Sequence, residues 1–140
     1  MASVMSTAVP SLKRYSVNDM ATEKRITGNL GEDFAENYFK KKGFSIVRNY
    51  HSRYGEVDII AENEEYVLFV EVKTRKENTL VSGIQSVDSH KQSRLILAAQ
   101  DYITKTYCEK QPRFDVAEVT VFEKEDKTLG YNLKYIENAF

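Results

Sequence analysis

Gly55-Glu56-Val57-Asp58-Ile59-Ile60-Ala61 and Val67-Leu68-Phe69-Val70-Glu71-Val72-Lys73 decide how this chain is read. Together they read as two adjoining β-strands, and each carries acid where a core strand should be apolar. Residues two apart in a strand point to one face, so Glu71 and Lys73 project together. The polar break Glu62-Asn63-Glu64-Glu65 between the runs suits a turn. Antiparallel pairing across it brings Asp58 near Glu71. Burying two carboxylates and an ammonium costs free energy unless they are paired or bind metal. A cluster so placed on buried strands is a candidate functional site.

Working outward, Phe44 to about Tyr50 reads as a preceding strand, joined by the basic turn His51-Ser52-Arg53-Tyr54-Gly55. Before it, Gly28-Asn29-Leu30-Gly31-Glu32 opens a helix that runs to about Lys42 and stops at Gly43 as C′ residue. Its apolar residues are Leu30, Phe34, Tyr38, Ala35 and Phe39, at helical spacing. Glu32 leans toward the buried side of that helix. It also suits the simpler role of a first-turn acid favoured by the helix dipole. Residues 1–27 show no sustained period and read as a mobile N-terminal extension, with some helix near its end; residues 28–140 form one domain.

After the central strands, Thr74 to Val87 is polar and irregular and reads as a loop. Asp88 caps a second helix to about Tyr107, whose apolar face is Leu95, Ala98, Ala99 and Tyr102. Lys91 extends that face by one turn, where a snorkelling lysine fits equally well. Strands follow over Arg113 to Phe122 and Leu129 to Ile136, with a turn at Lys124-Glu125-Asp126-Lys127. The order gives an α/β domain: a mixed central sheet flanked by helices.

A length of 140 residues suits one compact core. The formal net charge of -1 excludes a strongly basic nucleic-acid binder, so such binding needs a local patch. Cys108 is the one cysteine, which excludes an intrachain disulfide, and with only His51 and His90 a structural zinc site is not expected. No apolar run is long enough to span a membrane, and Met1 to Pro10 does not read as a secretory signal. The expectation is a cytoplasmic protein.

Asp58 and Glu71 are hard oxygen ligands suited to Mg²⁺ or Mn²⁺. Such an ion polarises a phosphoryl oxygen and activates water, and Lys73 is placed to orient that water or balance charge on the phosphate. Glu32 reaches the ion directly or through water. In outline this is a metal-dependent phosphodiesterase. A strand-end salt bridge accounts for any one of these residues; their combination carries the specificity. Lys40, Lys41, Lys42, Arg48 and Arg53 follow one another with no acid between. The lysine run suits the C-terminal end of a helix. Arg53, Arg75, Lys76 and Lys91, flanking the acids, are candidate contacts to a nucleic-acid backbone. Tyr50 and Tyr54 are candidates to stack on unpaired bases. No nucleophile elbow, phosphate loop or dinucleotide fingerprint is present.

Gly28-x-x-Gly31-Glu32, Arg48-Asn49-Tyr50, Gly55 to Ala61, Phe69 to Arg75, Lys91, Arg113-Phe114-Asp115-Val116 and Asn138-Ala139-Phe140 together resemble the YraN family of small bacterial proteins. That family is similar to the PD-(D/E)xK nucleases and the archaeal Holliday-junction resolvases. The resemblance covers Gly28 to Phe140 and implies the restriction-endonuclease-like three-layer fold. By position, Asp58 matches the motif's Asp, Glu71 its second acid, Lys73 its lysine and Glu32 the helix glutamate of the resolvase-like branch. Val57 stands where the motif name has proline. The resemblance implies an endonuclease for branched or single-stranded DNA, acting as a homodimer, although no sequence feature demands a dimer. The rival expectations are a non-catalytic DNA- or RNA-binding module that keeps the fold, and an interaction protein whose acids are merely salt-bridged.

Overall fold

The computed structural model describes residues 2–8, 20–76 and 88–140, with side chains over 29–76 and 88–140. The elements run β1 (Ala2–Ala8), α1 (Met20–Lys41), β2 (Ser45–Ser52), β3 (Gly55–Glu62), β4 (Tyr66–Lys76), α2 (Ser89–Thr106), β5 (Gln111–Glu123) and β6 (Leu129–Ile136). Among the described residues the strands form one sheet in the order β1-β6-β5-β4-β3-β2. It is a mixed sheet. β4 and β5 are parallel, joined through α2, and the other neighbours are antiparallel. A parallel pair needs such a crossover, because a tight turn can only reverse the chain.

One helix lies on each face, the three-layer α/β arrangement expected from the sequence. Under α1, Leu30, Ala35 and Phe39 pack on Ile59, Leu68, Val70, Val119, Leu133 and Tyr135. Under α2, Leu95, Ala98, Ala99 and Tyr102 pack on Val57, Ile60, Val67 and Phe69. The even residues of β4 from Leu68 to Val72 thus face α1, and its odd residues face α2.

The helix ends follow local chemistry. The Asp88 carboxylate accepts from the Lys91 backbone N–H and caps α2. At the end of α1, Gly43 adopts φ 89°, its N–H bonds Lys40 O at 3.0 Å, and the Phe44 N–H bonds Phe39 O at 3.1 Å. This is a Schellman stop, and the Phe39 and Phe44 rings complete it with centroids 5.7 Å apart.

Two boundaries differ from the sequence reading. The helix expected from Gly28 begins at Met20, so Glu32 lies well inside it and the first-turn dipole account of that residue is withdrawn. The stretch expected as an extension includes β1, which pairs antiparallel along β6 from Ala2↔Ile136 to Ala8↔Gly130. A ladder uses backbone groups alone, so a run without side-chain period can still add to a sheet edge. The rest of the expected extension, over 9–19, lies outside the described residues, as does most of the expected Thr74 to Val87 loop; β4 continues through Lys76. None of the described helices is long and apolar enough to cross a membrane.

Candidate functional site

The β3–β4 hairpin pairs Ile59 with Val70, and one more step of that register sets Asp58 opposite Glu71. The ladder breaks there. Asp58 Oδ2 instead accepts from the Val72 backbone N–H at 2.9 Å. On the other side of β3, Arg48↔Ile59 and Tyr50↔Val57 flank Asn49, which takes φ 52°. The left-handed region is open to Asn at low cost. Across this break the strand changes faces: Val57 joins the α2 core and Ile59 the α1 core, although they are two residues apart. Asp58 sits at the change.

The interface between α2 and β4 turns from apolar to charged in step on both elements. Along β4 the row runs Val67, Phe69, Glu71, Lys73; along α2 it runs Tyr102, Ala99, Leu95, Lys91. Glu71 is 5% exposed. Its Oε1 receives Lys73 Nζ at 3.1 Å and also Lys91 Nζ, from the first turn of α2. Burial, the adjacent Glu71 charge and a hydrogen bond shared with it push Asp58 up to about 7, and the Val72 N–H opposes this in part. Burial pulls the Lys73 ammonium below the usual lysine range, with Lys91 adding to the effect.

Glu32 approaches from α1. Burial raises its pKa, and Arg48 partly offsets the rise. Arg48 NH2 lies 3.3 Å from Glu32 Oε2, while its NH1 pairs with Asp33 and lies 3.7 Å from Glu36. The sequence counts Arg48 among the basic residues; here it orients the helix acid. Gly31 makes that approach possible. A Cβ on Gly31 would fall 1.9 Å from Thr74 Oγ1, so only glycine lets α1 lie this close to β4, one residue past Lys73.

Asp58, Glu71, Lys73 and Lys91 are therefore brought together, with Glu32 near enough to raise Asp58 electrostatically. Among the described residues, no three or more His, Cys, Asp or Glu side chains converge as a metal cage. Mg²⁺ does not need one: it is commonly held by one or two carboxylates with water and substrate phosphate completing the shell. The adjoining carboxylates of Asp58 and Glu71 fit that pattern, because a divalent ion relieves the repulsion that raises Asp58.

The other predicted contacts are dispersed. Arg75 pairs with the buried Glu118 at 2.7 Å. Lys76 is exposed at the end of β4. Arg53 is exposed at the β2–β3 turn, stacked 4.8 Å from the Tyr54 ring centroid. Tyr50, one of the two residues expected to stack on bases, is half-buried and has partners within the fold. Its ring packs edge-on against Tyr102 at 5.2 Å and its hydroxyl donates to Asp101 Oδ2 at 2.6 Å.

A cavity of about 270 Å³ opens beside Lys91, between the β2–β3 hairpin and the start of α2, and His90 and Arg94 line it with Glu56 and Asp88. A larger one, about 800 Å³, lies at the far end of β4 against Glu62, Glu64, Glu65 and Lys110. Its acid excess disfavours an anionic ligand such as phosphate.

Fold and site together define a three-layer α/β domain with an adjoining acid pair, Glu71 buried and Asp58 half-buried, and two lysines where its central strands diverge. The uncharacterised protein family UPF0102 matches residues 31–119. The chain is 43% identical to the UPF0102 protein of Clostridium acetobutylicum over 115 residues, 81% of this chain and 92% of that protein. It is 37% identical to that of Caldanaerobacter subterraneus over 119 residues (84% and 96%), and 40% identical to that of Dichelobacter nodosus over 106 residues (74% and 82%). The chain belongs to the UPF0102 family, the YraN proteins it resembles by motif.

Proposed function

We propose that this protein is a Mg²⁺- or Mn²⁺-dependent DNA endonuclease that hydrolyses phosphodiester bonds in branched or single-stranded DNA. The observation that carries the reading is half-buried Asp58 beside buried Glu71, like-charged and backed by Lys73. Core packing gives no reason to keep two such acids together, and a phosphodiesterase needs them. Asp58 and Glu71 would hold the ion, with Glu32 assisting from α1. When bound, the ion supplies Lewis-acid activation of the phosphoryl oxygen and of the attacking water. Lys73 orients that water and balances charge developing on the phosphate. Asp58 keeps its orientation through the Val72 N–H, and Arg48 keeps that of Glu32. Arg53, Lys76 and the basic side chains along the start of α2 guide the backbone. Homodimerisation and a cytoplasmic setting follow from the resemblance and from the lone Cys108.

A second reading has one observation in its favour. Two ammonium groups already neutralise Glu71, as they would in a nucleic-acid-binding module that keeps the fold without cleaving. One experiment separates the two. The full chain is incubated with single-stranded, duplex, flap and four-way-junction DNA, in Mn²⁺, Mg²⁺ or chelator, beside Asp58→Asn. Cleavage that needs both metal and Asp58 is expected, with a loss of at least a hundredfold in the variant. Equal cleavage by Asp58→Asn would sink the assignment, and binding without cleavage of any substrate would establish the second reading.

A further inference from the structure

We infer that Lys91 is a tethered counter-ion of the acid pair and is exchanged for the divalent cation when the site loads. The inference rests on the metal-dependent reading above and adds to it a device for loading and unloading the site.

The argument starts from charge. Asp58 and Glu71 carry two negative charges when ionised, and Lys73 and Lys91 carry two positive ones. Both ammonium groups meet at a single atom, Glu71 Oε1. In a largely desolvated pocket, adding a divalent ion to this neutral set places excess positive charge beside two ammoniums. One cation therefore has to leave.

Geometry selects which one. Lys73 shares β4 with Glu71, two residues along on the same face, and its side chain is only 22% exposed. It is the more buried of the two and lines no part of the cavity beside Lys91. Lys91 arrives from a different element, the first turn of α2, and its side chain is 36% exposed. It also lines the cavity of about 270 Å³. A rotation of its long, flexible stem moves the ammonium from Glu71 into that cavity, where Glu56 and Asp88 supply negative charge. There it stands with His90 and Arg94, on the side from which a phosphate backbone would approach. One lysine thus holds the acids together in the metal-free protein and becomes a phosphate contact in the loaded one.

The test measures Mn²⁺ binding by the loss of the free-ion electron paramagnetic resonance signal, with full-length wild type, Lys91→Met and Asp58→Asn. Exchange predicts that Lys91→Met binds Mn²⁺ at least fivefold more tightly than wild type, and that Asp58→Asn does not bind. A second measurement needs no variant. Wild-type protein is acetylated with and without Mn²⁺, and labelling at each lysine is read by mass spectrometry. Lys91 labelling should rise at least threefold with Mn²⁺ while that of Lys73 stays unchanged. Equal or weaker Mn²⁺ affinity in Lys91→Met, or Lys91 labelling indifferent to Mn²⁺, overturns the exchange and leaves the metal reading standing. No binding by either wild type or Lys91→Met overturns the metal reading and the exchange with it.

Discussion

Asp115 on β5 and the Asp58–Glu71 pair on β3 and β4 hold carboxylates inside the fold in opposite ways. Asp115, fully buried on β5, is saturated. Arg113 Nε donates to both of its oxygens at 3.0 and 3.1 Å and NH2 adds a third bond at 2.9 Å. The Asn138 N–H donates at 3.0 Å, and the Tyr135 hydroxyl donates as well. Burial and the Asp115 charge raise the Tyr135 hydroxyl far above the usual range, so it stays a donor. Beside this network the Ala139 N–H bonds Phe114 O at 2.8 Å, and Phe140 stacks on Phe114 at 5.3 Å. The result is a lock that fastens the residues after β6 to β5. Asp58 has one backbone donor and a like charge for a neighbour. A buried acid is therefore not a mark of function by itself. What distinguishes this site from the lock is an acid held beside a like charge instead of being ringed by donors.

The sharpest break of this comparison is Asp115→Ala. It leaves a half-buried guanidinium, a buried hydroxyl and a backbone N–H without this acceptor, which costs about 2–4 kcal/mol. Denaturant unfolding should show that loss, and fast amide exchange at Asn138 and Ala139 should show the released lock. A loss below 1 kcal/mol would mean that Asp115 is no lock.

Asp58→Asn should act in the opposite sense on stability. A carboxyl with a folded pKa of about 7 against an ordinary 3.8 binds its proton more tightly when folded. Its favourable contribution is fully present below pH 4 and is lost as pH rises through 7. In chelator at pH 8 the variant should therefore be more stable than wild type, by about 2–4 kcal/mol, and near pH 4 the two should converge. Parallel unfolding curves across pH 4–8 would remove the contrast between the two acids.

How much of this was legible in the sequence differs from residue to residue. The Asp58–Glu71 pairing was readable because it depends on one short hairpin. The stripe of α2, its Asp88 cap and the Gly43 stop were readable because each is set within a few residues. The Asp115 lock was visible only as a motif, since its partners lie up to 23 residues away. The meeting of Lys91 with Glu71 has no local signal, because it depends on the β4-α2-β5 crossover. The contacts of Arg48 and Tyr50 are hidden for one reason. An exposed-looking basic or aromatic residue on an edge strand gives no local sign of a helix folding over it, as α1 and α2 do here. The beginning of α1 and the pairing of β1 carried no period to read.

Gly31 shows the same limit and yields the mildest prediction. Its role is invisible in sequence because the atom it avoids, Thr74 Oγ1, is 43 residues away on another element. An alanine Cβ at this position would also lie 2.9 Å from Thr74 Cβ, so rotating the threonine side chain cannot relieve the clash. The helix must move away from β4 instead, at a cost of about 1–3 kcal/mol. That shift carries Glu32, the next residue, away from Asp58. If Glu32 serves the acid pair, Gly31→Ala should weaken Mn²⁺ binding severalfold while amide exchange at Asn138 and Ala139 stays as in wild type. Thr74→Gly in the same chain should restore much of both stability and Mn²⁺ binding. Loss of stability with unchanged Mn²⁺ affinity would separate Glu32 from the site and leave Asp58, Glu71 and the two lysines as all of it.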